Sequence, residues 1–157
     1  MEIVNRKAAP STQLIEDIDF IKPQLVRLNN GIPVYIIEAG EQNLLKIEFS
    51  FDAGRWYEEK PLVASFTNKM LKEGSAGYSA NEIASKIDFF GAHIDTSSNK
   101  DKAHVALYTL NKHLPDILPV LADIILRPTF PEDELSTLRQ NRRQHFLVNS
   151  EKVRYIA

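Results

Sequence analysis

Apolar residues in this chain follow two different periods, and the order of those periods restricts the fold more than any other feature. Residues 45–51 alternate apolar and polar side chains, as a strand with one buried face does. Later segments carry apolar residues three and four positions apart, as amphipathic helices do. The segments occur as a hairpin, a strand, two helices, a second hairpin and two further helices. This order predicts an α+β domain of two layers, in which a mostly antiparallel sheet packs against helices.

Turn residues define the two hairpins. In the first, Asn29-Asn30-Gly31 separates two short apolar runs, and Asn and Gly tolerate the positive φ angles of a tight turn. The second hairpin is predicted around residues 98–101. If its turn is centred between Ser98 and Asn99, His93 lies directly opposite His104 on the neighbouring strand.

Capping signals set the predicted helix ends. Pro61 starts the first helix and Gly74 ends it. The second helix opens with a capping box, in which Ser79 is the N-cap and Glu82 is the third helical residue. We expect Pro119 to lie inside the third helix and to kink it or delay its start. Thr129 and Glu132 repeat the capping-box pattern before a long last helix, whose Arg139, Arg142 and Arg143 are predicted to form a solvated face.

Composition excludes several classes of protein. The chain has 157 residues and a formal net charge of −2, and it has no basic run that could follow a nucleic-acid backbone. It lacks cysteine, which excludes disulfides and thiolate metal sites. It has neither a signal-peptide pattern nor a long apolar run, so we expect a soluble chain without membrane contact, either cytoplasmic or periplasmic. We predict an N-terminal arm at 1–22 and one domain at 23–157, whose apolar end suggests a cut from a longer protein.

Several short signatures, taken in order, resemble the pitrilysin, insulinase and mitochondrial processing peptidase family of zinc peptidases. The resemblance runs from about residue 25 to the end of the chain. It implies the N-terminal domain of that family, with a fold like that of the LuxS and processing-peptidase metalloenzymes. The signatures are LNNGIPV at 28–34, DAGRWYE at 52–58, LKEGS at 71–75, GA at 91–92 and LADIILRPTF at 121–130.

The family's zinc motif is degenerate in this sequence. Active members carry H-x-x-E-H on the helix that corresponds to residues 62–72, where the two His bind zinc and the Glu activates a water. The resemblance places Ser65 and Lys69 at the two ligand positions, Asn68 at the base position and His145 near the third ligand position. A hydroxyl, an ammonium and an amide do not replace these groups, because Asn has no titratable proton and Lys carries a positive charge. We therefore predict no catalytic residue, no bound metal and no cofactor, whereas active relatives hold zinc.

A second family feature is an edge strand that binds extended peptide. In active members the peptide-binding segment of this strand resembles Asn-Ala-x-Thr. The corresponding residues here are Asp95, Thr96, Ser97 and Ser98. An open strand edge adds a peptide strand through main-chain hydrogen bonds, whatever its side chains are. The resemblance thus implies a noncatalytic subunit or lobe that pairs, as a heterodimer or within one chain, with an active zinc peptidase homologue and helps bind peptide.

Two alternatives remain open at this point. The first is an active zinc metallopeptidase with unusual ligands, for example His145 together with His93 and His104. The second is a purely structural subunit with a large permanent interface and no affinity for peptide. The content of bound metal separates the first alternative from the noncatalytic reading, and titration with a peptide separates the second.

Overall fold

The computed structural model describes residues 18–152, and it divides into two compact units, 1–42 and 43–157. Most of the predicted N-terminal arm and the apolar residues 153–157 lie outside the described residues. Residues 18–23 have no regular secondary structure. Within residues 18–152 there is no helix with the length and apolar character needed to cross a bilayer.

The described part of the first unit contains the first predicted hairpin. Strands β1 (Gln24–Arg27) and β2 (Pro33–Ile36) pair antiparallel. Gly31 has a φ of 84°, and its amide donates to the Leu28 carbonyl at 2.8 Å. The turn thus uses the conformational freedom of glycine as the sequence predicts.

The second unit is an antiparallel sheet with four helices, which confirms the predicted α+β class. The strands are ordered β3 (Leu44–Phe51), β5 (Ala103–Leu110) and β4 (His93–Ser98), so β5 is central and β4 is an outer strand. Three short 3₁₀ turns, at Arg55–Tyr57, Leu71–Glu73 and Asn111–His113, join elements. The elements in chain order are β3 (Leu44–Phe51), α1 (Val63–Met70), α2 (Ala80–Phe89), β4 (His93–Ser98), β5 (Ala103–Leu110), α3 (Leu114–Leu126) and α4 (Glu132–Ser150).

The core of this unit lies between the sheet and helices α2 and α3. Its members are aliphatic side chains from β4, β5, α2 and α3 that are almost fully removed from solvent, which is the main favourable term for folding. Phe49 and Phe51 of β3 remain more than a third exposed in the described chain, although the alternating pattern places them on the apolar face. The core residues are Ile83, Ile94, Val105, Leu107, Ile117, Val120, Leu121 and Ile124.

One of the two predicted capping boxes is present. Ser79 caps α2: its hydroxyl accepts from the Glu82 amide, and the Ser79 amide donates to Glu82 Oε2 at 2.8 Å. The Ser79 amide, followed by the Ser79 hydroxyl, which donates to Oε2 at 2.7 Å, holds the pKa of Glu82 below its usual range. The prediction for Thr129 is wrong, because α4 is preceded by Pro131 and the Thr129 amide donates to the Gly74 carbonyl at 3.1 Å. Pro119 lies inside α3, as predicted, and the helix starts before it.

The predicted pairing of His93 with His104 is also wrong. His93 lies opposite Tyr108, and His104 lies opposite Ser97. The turn is therefore centred two residues later than predicted, because the Asn99 side chain organises it. Asn99 Oδ1 accepts from the Asp101 amide at 2.9 Å and from the Lys102 amide at 2.8 Å.

A buried carboxylate joins α3 to the loop that precedes α2. Asp123 is 4% exposed, its Oδ2 accepts from the Gly77 amide at 2.8 Å, and its Oδ1 pairs with Arg127. The hydroxyl of Ser75, followed by these two groups, holds the pKa of Asp123 below its ordinary value of 3.8. The ionised carboxylate therefore stabilises the native loop.

Acidification should remove this stabilisation. Because the folded pKa is lower than the unfolded one, the contribution of Asp123 is fully present above pH 3.8 and is lost as the pH falls through the folded pKa. We expect Asp123→Asn to flatten the decline in the free energy of unfolding below about pH 4, measured in urea at a series of pH values. Asp116→Asn, on the exposed side of the same helix, is the control, and equal slopes for the two variants would contradict this role.

Candidate functional site

Helix α1 carries the degenerate motif, and a carboxylate fixes its start. Leu62 precedes the helix with a φ of 78°. The amides of Leu62 and Ala64, at the start of the helix, have no acceptor within the helix itself. Glu58 accepts from both: Oε1 lies 3.1 Å from the Leu62 amide and Oε2 lies 3.0 Å from the Ala64 amide. The negative charge of Glu58 therefore interacts favourably with the positive end of the helix dipole.

A cavity of about 540 Å³ brings the predicted site residues together. Ser65, Asn68 and Lys69 of α1 form one wall, and the end of β4 forms another. The residues of β4 at the cavity are Thr96, Ser97 and Ser98. Asp95 does not line it; this exposed residue lies opposite Ala106. The structure thus joins the motif helix and most of the predicted peptide strand at one site.

Asn68 ties α1 to the sheet. Its side chain is 5% exposed, and Nδ2 donates to the Ser97 carbonyl at 2.5 Å and to the His104 carbonyl at 3.2 Å. Both acceptors are main-chain oxygens of paired strands. The residue that the resemblance places at the base position is thus a donor that satisfies two carbonyls.

The residues at the motif positions do not fit zinc. The Ser65 hydroxyl donates to the Leu62 carbonyl at 3.1 Å, and the Lys69 side chain is exposed. Zinc sites in proteins use thiolate, imidazole or carboxylate ligands. None of these groups stands at the three motif positions on α1.

His145, which the resemblance places near the third ligand position, does not line the cavity, whereas Arg142 of α4 does. One helical turn beyond Arg142, the His145 ring instead contacts the Asn149 side-chain amide, with Nδ1 3.0 Å from Nδ2. The placement of α4 against α1 decides which residue of α4 faces the cavity.

Each of the three histidines of the alternative metal set lies beside a different side chain rather than beside another histidine. His93 packs beside the Tyr108 ring, with centroids 6.0 Å apart, and His104 Nδ1 lies 3.0 Å from Glu48 Oε1. His145 is engaged with Asn149. Over residues 18–152, no three His, Asp or Glu side chains come together in a group that could hold a metal ion.

The outer edge of β4 directs main-chain groups toward solvent near the cavity. The Asn99 amide donates to the Lys102 carbonyl, and bonded pairs alternate along an antiparallel ladder. The main-chain groups of Thr96 and Ser98 therefore point away from β5. At the other end of the strand, Lys72 Nζ donates to the outward carbonyl of Ile94 at 3.3 Å.

Three cations converge on the cavity, which sequence reasoning missed. Lys69, Arg55 and Arg142 line it, and within the described chain none of the three lies at ion-pairing distance from a carboxylate. Arg55 is placed by backbone contacts with the β4–β5 turn, since its amide donates to the Asn99 carbonyl at 3.0 Å. The sequence predicts Arg142 on a solvated face of the last helix, and this exposed residue also lines the cavity.

Comparison with known proteins places the chain in a family. The family model described as "Insulinase (Peptidase family M16)" matches residues 35–155. The alpha-1 subunit of the mitochondrial-processing peptidase of Dictyostelium discoideum is 28% identical over 116 residues, 73% of this chain and 18% of that protein. Subunit 1 of the bovine cytochrome b-c1 complex is 24% identical over 151 residues, 95% of this chain and 31% of that protein.

Solved structures and uncharacterised relatives agree with this match. The inactive domain of a peptidase M16 from Pseudomonas fluorescens superposes with a TM-score of 0.80 at 28% identity, over 87% of this chain and 34% of that one. An uncharacterised zinc protease of Rickettsia felis is 26% identical over 70% of this chain and 27% of its own length. The chain thus spans between about a fifth and a third of the length of these relatives. Because the family model covers most of the sequence, this chain belongs to the insulinase family, peptidase family M16.

Proposed function

We propose that this chain is part of a noncatalytic lobe that pairs with a zinc-bearing peptidase of the same family and helps hold the peptide. In this proposal residues 23–157 form the N-terminal domain of the lobe. The lobe contributes binding surface and excludes bulk water, and its partner cleaves the bond. The active site of the partner would determine which peptides are cleaved.

The identity of the residues at the three motif positions is the main support for the proposal. The family scaffold is present, but Ser65, Asn68 and Lys69 stand where active members have His, Glu and His. Asn68 is built into the sheet through two hydrogen bonds, so its side chain has a structural task. A cavity whose motif positions on α1 carry no metal-ligating side chain supports binding rather than hydrolysis.

The outer edge of β4 supports peptide binding by this lobe. Outward main-chain groups at Thr96 and Ser98 can add an extended peptide as a further strand. These hydrogen bonds are made by main-chain atoms. Peptide binding by strand addition therefore does not require the family's Asn-Ala-x-Thr side chains, which Asp95 and its neighbours replace here. Specificity would then depend on side chains at the cavity.

Exposed apolar side chains near the end of α4 support a protein partner. Phe146 is 65% exposed, and Leu147 and Val148 are 46% and 56% exposed in the described chain. Consecutive exposed apolar side chains of this kind suit an interaction site. The same observation suits the alternative of a purely structural subunit, which predicts a stable complex without peptide affinity.

Co-expression with an H-x-x-E-H-bearing family member tests the proposal. We expect the two chains to elute together, and the rate of peptide cleavage by the partner to rise about tenfold or more when this chain is present, because positioning contributes directly to rate. The purified chain with added zinc should cleave no peptide alone.

The controls separate the alternatives. Chelator-sensitive cleavage by this chain alone would contradict the noncatalytic role. A stable complex with neither peptide affinity nor a gain in cleavage rate would favour the structural subunit instead.

A further inference from the structure

We infer that the cavity between α1, β4 and α4 binds a carboxylate group of the peptide, an assignment that rests on the proposed function and names the chemistry of its ligand. The site that holds a dication in active relatives would here hold an anion. Three features of the cavity support this assignment: its basic lining, the lack of ion-pair partners among the described residues, and its position beside β4.

The lining of the cavity is strongly asymmetric in charge. It contains Lys69, Arg55 and Arg142, and Glu58 is the single acidic residue among its described lining residues. The chain as a whole has a formal net charge of −2, so this local excess of positive charge is not a general property of its surface. Concave sites lined by one sign of charge focus the field and attract the opposite charge.

The one carboxylate at the cavity does not neutralise these cations. Both oxygens of Glu58 are occupied by the amides of Leu62 and Ala64 at the start of α1. Across residues 18–152, the ion pairs of the chain involve other basic residues. Three basic side chains without a protein counter-ion therefore surround a volume large enough for a ligand group.

The position of the cavity relative to β4 identifies the ligand as part of a peptide. Thr96 and Ser98 present outward main-chain groups at the cavity wall, and Lys72 occupies the edge further along at Ile94. A peptide strand added at Thr96 and Ser98 would therefore reach the basic residues. The guanidinium of Arg binds a carboxylate with two parallel hydrogen bonds, which gives charge and geometry together.

Two sources can supply this carboxylate, namely the C-terminus of the peptide or an Asp or Glu side chain within it. Three short N-acetylated peptides of Thr, Ser and Ala distinguish them by isothermal titration calorimetry with the full chain. The first is amidated and neutral, the second has a free C-terminus, and the third is amidated with one central Glu. We expect at least one acidic peptide to bind about tenfold or more tightly than the neutral peptide, as hydrogen bonds to charged groups allow.

Matched charge variants locate the effect. Lys69→Gln combined with Arg142→Gln should remove the preference for the acidic peptides, and added salt should weaken it. The control removes the same charge from α4 outside this cavity, with Arg139→Gln combined with Arg143→Gln, and should retain the preference. Equal affinity for all three peptides, or a preference that persists without Lys69 and Arg142, would overturn the inference while leaving peptide binding intact. Failure of every peptide to bind would overturn the peptide-holding function itself.

Discussion

Replacing Asn68 by Asp should lower the free energy of unfolding of this chain by about 3–5 kcal/mol at neutral pH. The Asn68 side chain is buried, and its Nδ2 donates to the carbonyls of Ser97 and His104. A carboxylate of the same shape cannot donate, and its charge would face two carbonyl oxygens. The loss should be measured by urea unfolding followed by circular dichroism.

The pH dependence of this loss gives a second readout. Burial beside two acceptors would raise the pKa of the introduced carboxyl, so the penalty should be largest at neutral pH and shrink as the pH falls and the group is protonated. Thr67→Asp, on the exposed neighbouring position of α1, is the control and should change stability by about 0.5 kcal/mol. If the two variants were equally stable, Asn68 would not hold the sheet as described.

Exchanging Gly54 for Ala should cost about 3 kcal/mol of unfolding free energy. A Cβ at this position would lie 2.4 Å from the Asp101 carbonyl carbon, 2.5 Å from the Lys100 oxygen and 2.6 Å from the Lys102 nitrogen. All three are backbone atoms, so a side-chain rotation cannot relieve the contact. The two segments must separate, which breaks the bond from the Gly54 amide to the Asp101 carbonyl.

Gly91→Ala is the matched control for crowding. Gly91 has a φ of 57° and no atom within 4 Å of an added Cβ, so its substitution tests backbone strain alone. That strain should cost about 1–2 kcal/mol. Gly54 has an ordinary φ of −80°, so a loss no larger than that of Gly91→Ala would contradict the close approach of the two backbones.

Local features of the fold were predictable because their causes lie within a few residues. The Ser79 capping box needs only Glu82, three positions away, and the first hairpin needs only Asn30 and Gly31 at its turn. The Thr129 box failed although its local pattern was the same. Its amide pairs with Gly74, more than fifty residues earlier, and no pattern near Thr129 encodes that partner.

The candidate site was predictable in its helix and strand but not in its charge. The resemblance marked Ser65, Asn68 and Lys69, and the structure brings all three to one cavity. Arg55 and Arg142 come from distant parts of the chain and meet there only because the β4–β5 turn and α4 pack beside α1. The histidine pairing failed for a related reason, since a side-chain acceptor at Asn99 fixed the turn.

The contact between Lys72 and Ile94 also bears on how copies of this chain behave at high concentration. An outer strand templates fibrillar stacking when its row of carbonyls and amides is continuous. Here an ammonium from the chain itself occupies one carbonyl of that row, so another copy meets an interrupted edge. One lysine thus interrupts the row of outward main-chain groups at Ile94, while the stretch at Thr96 and Ser98 stays open.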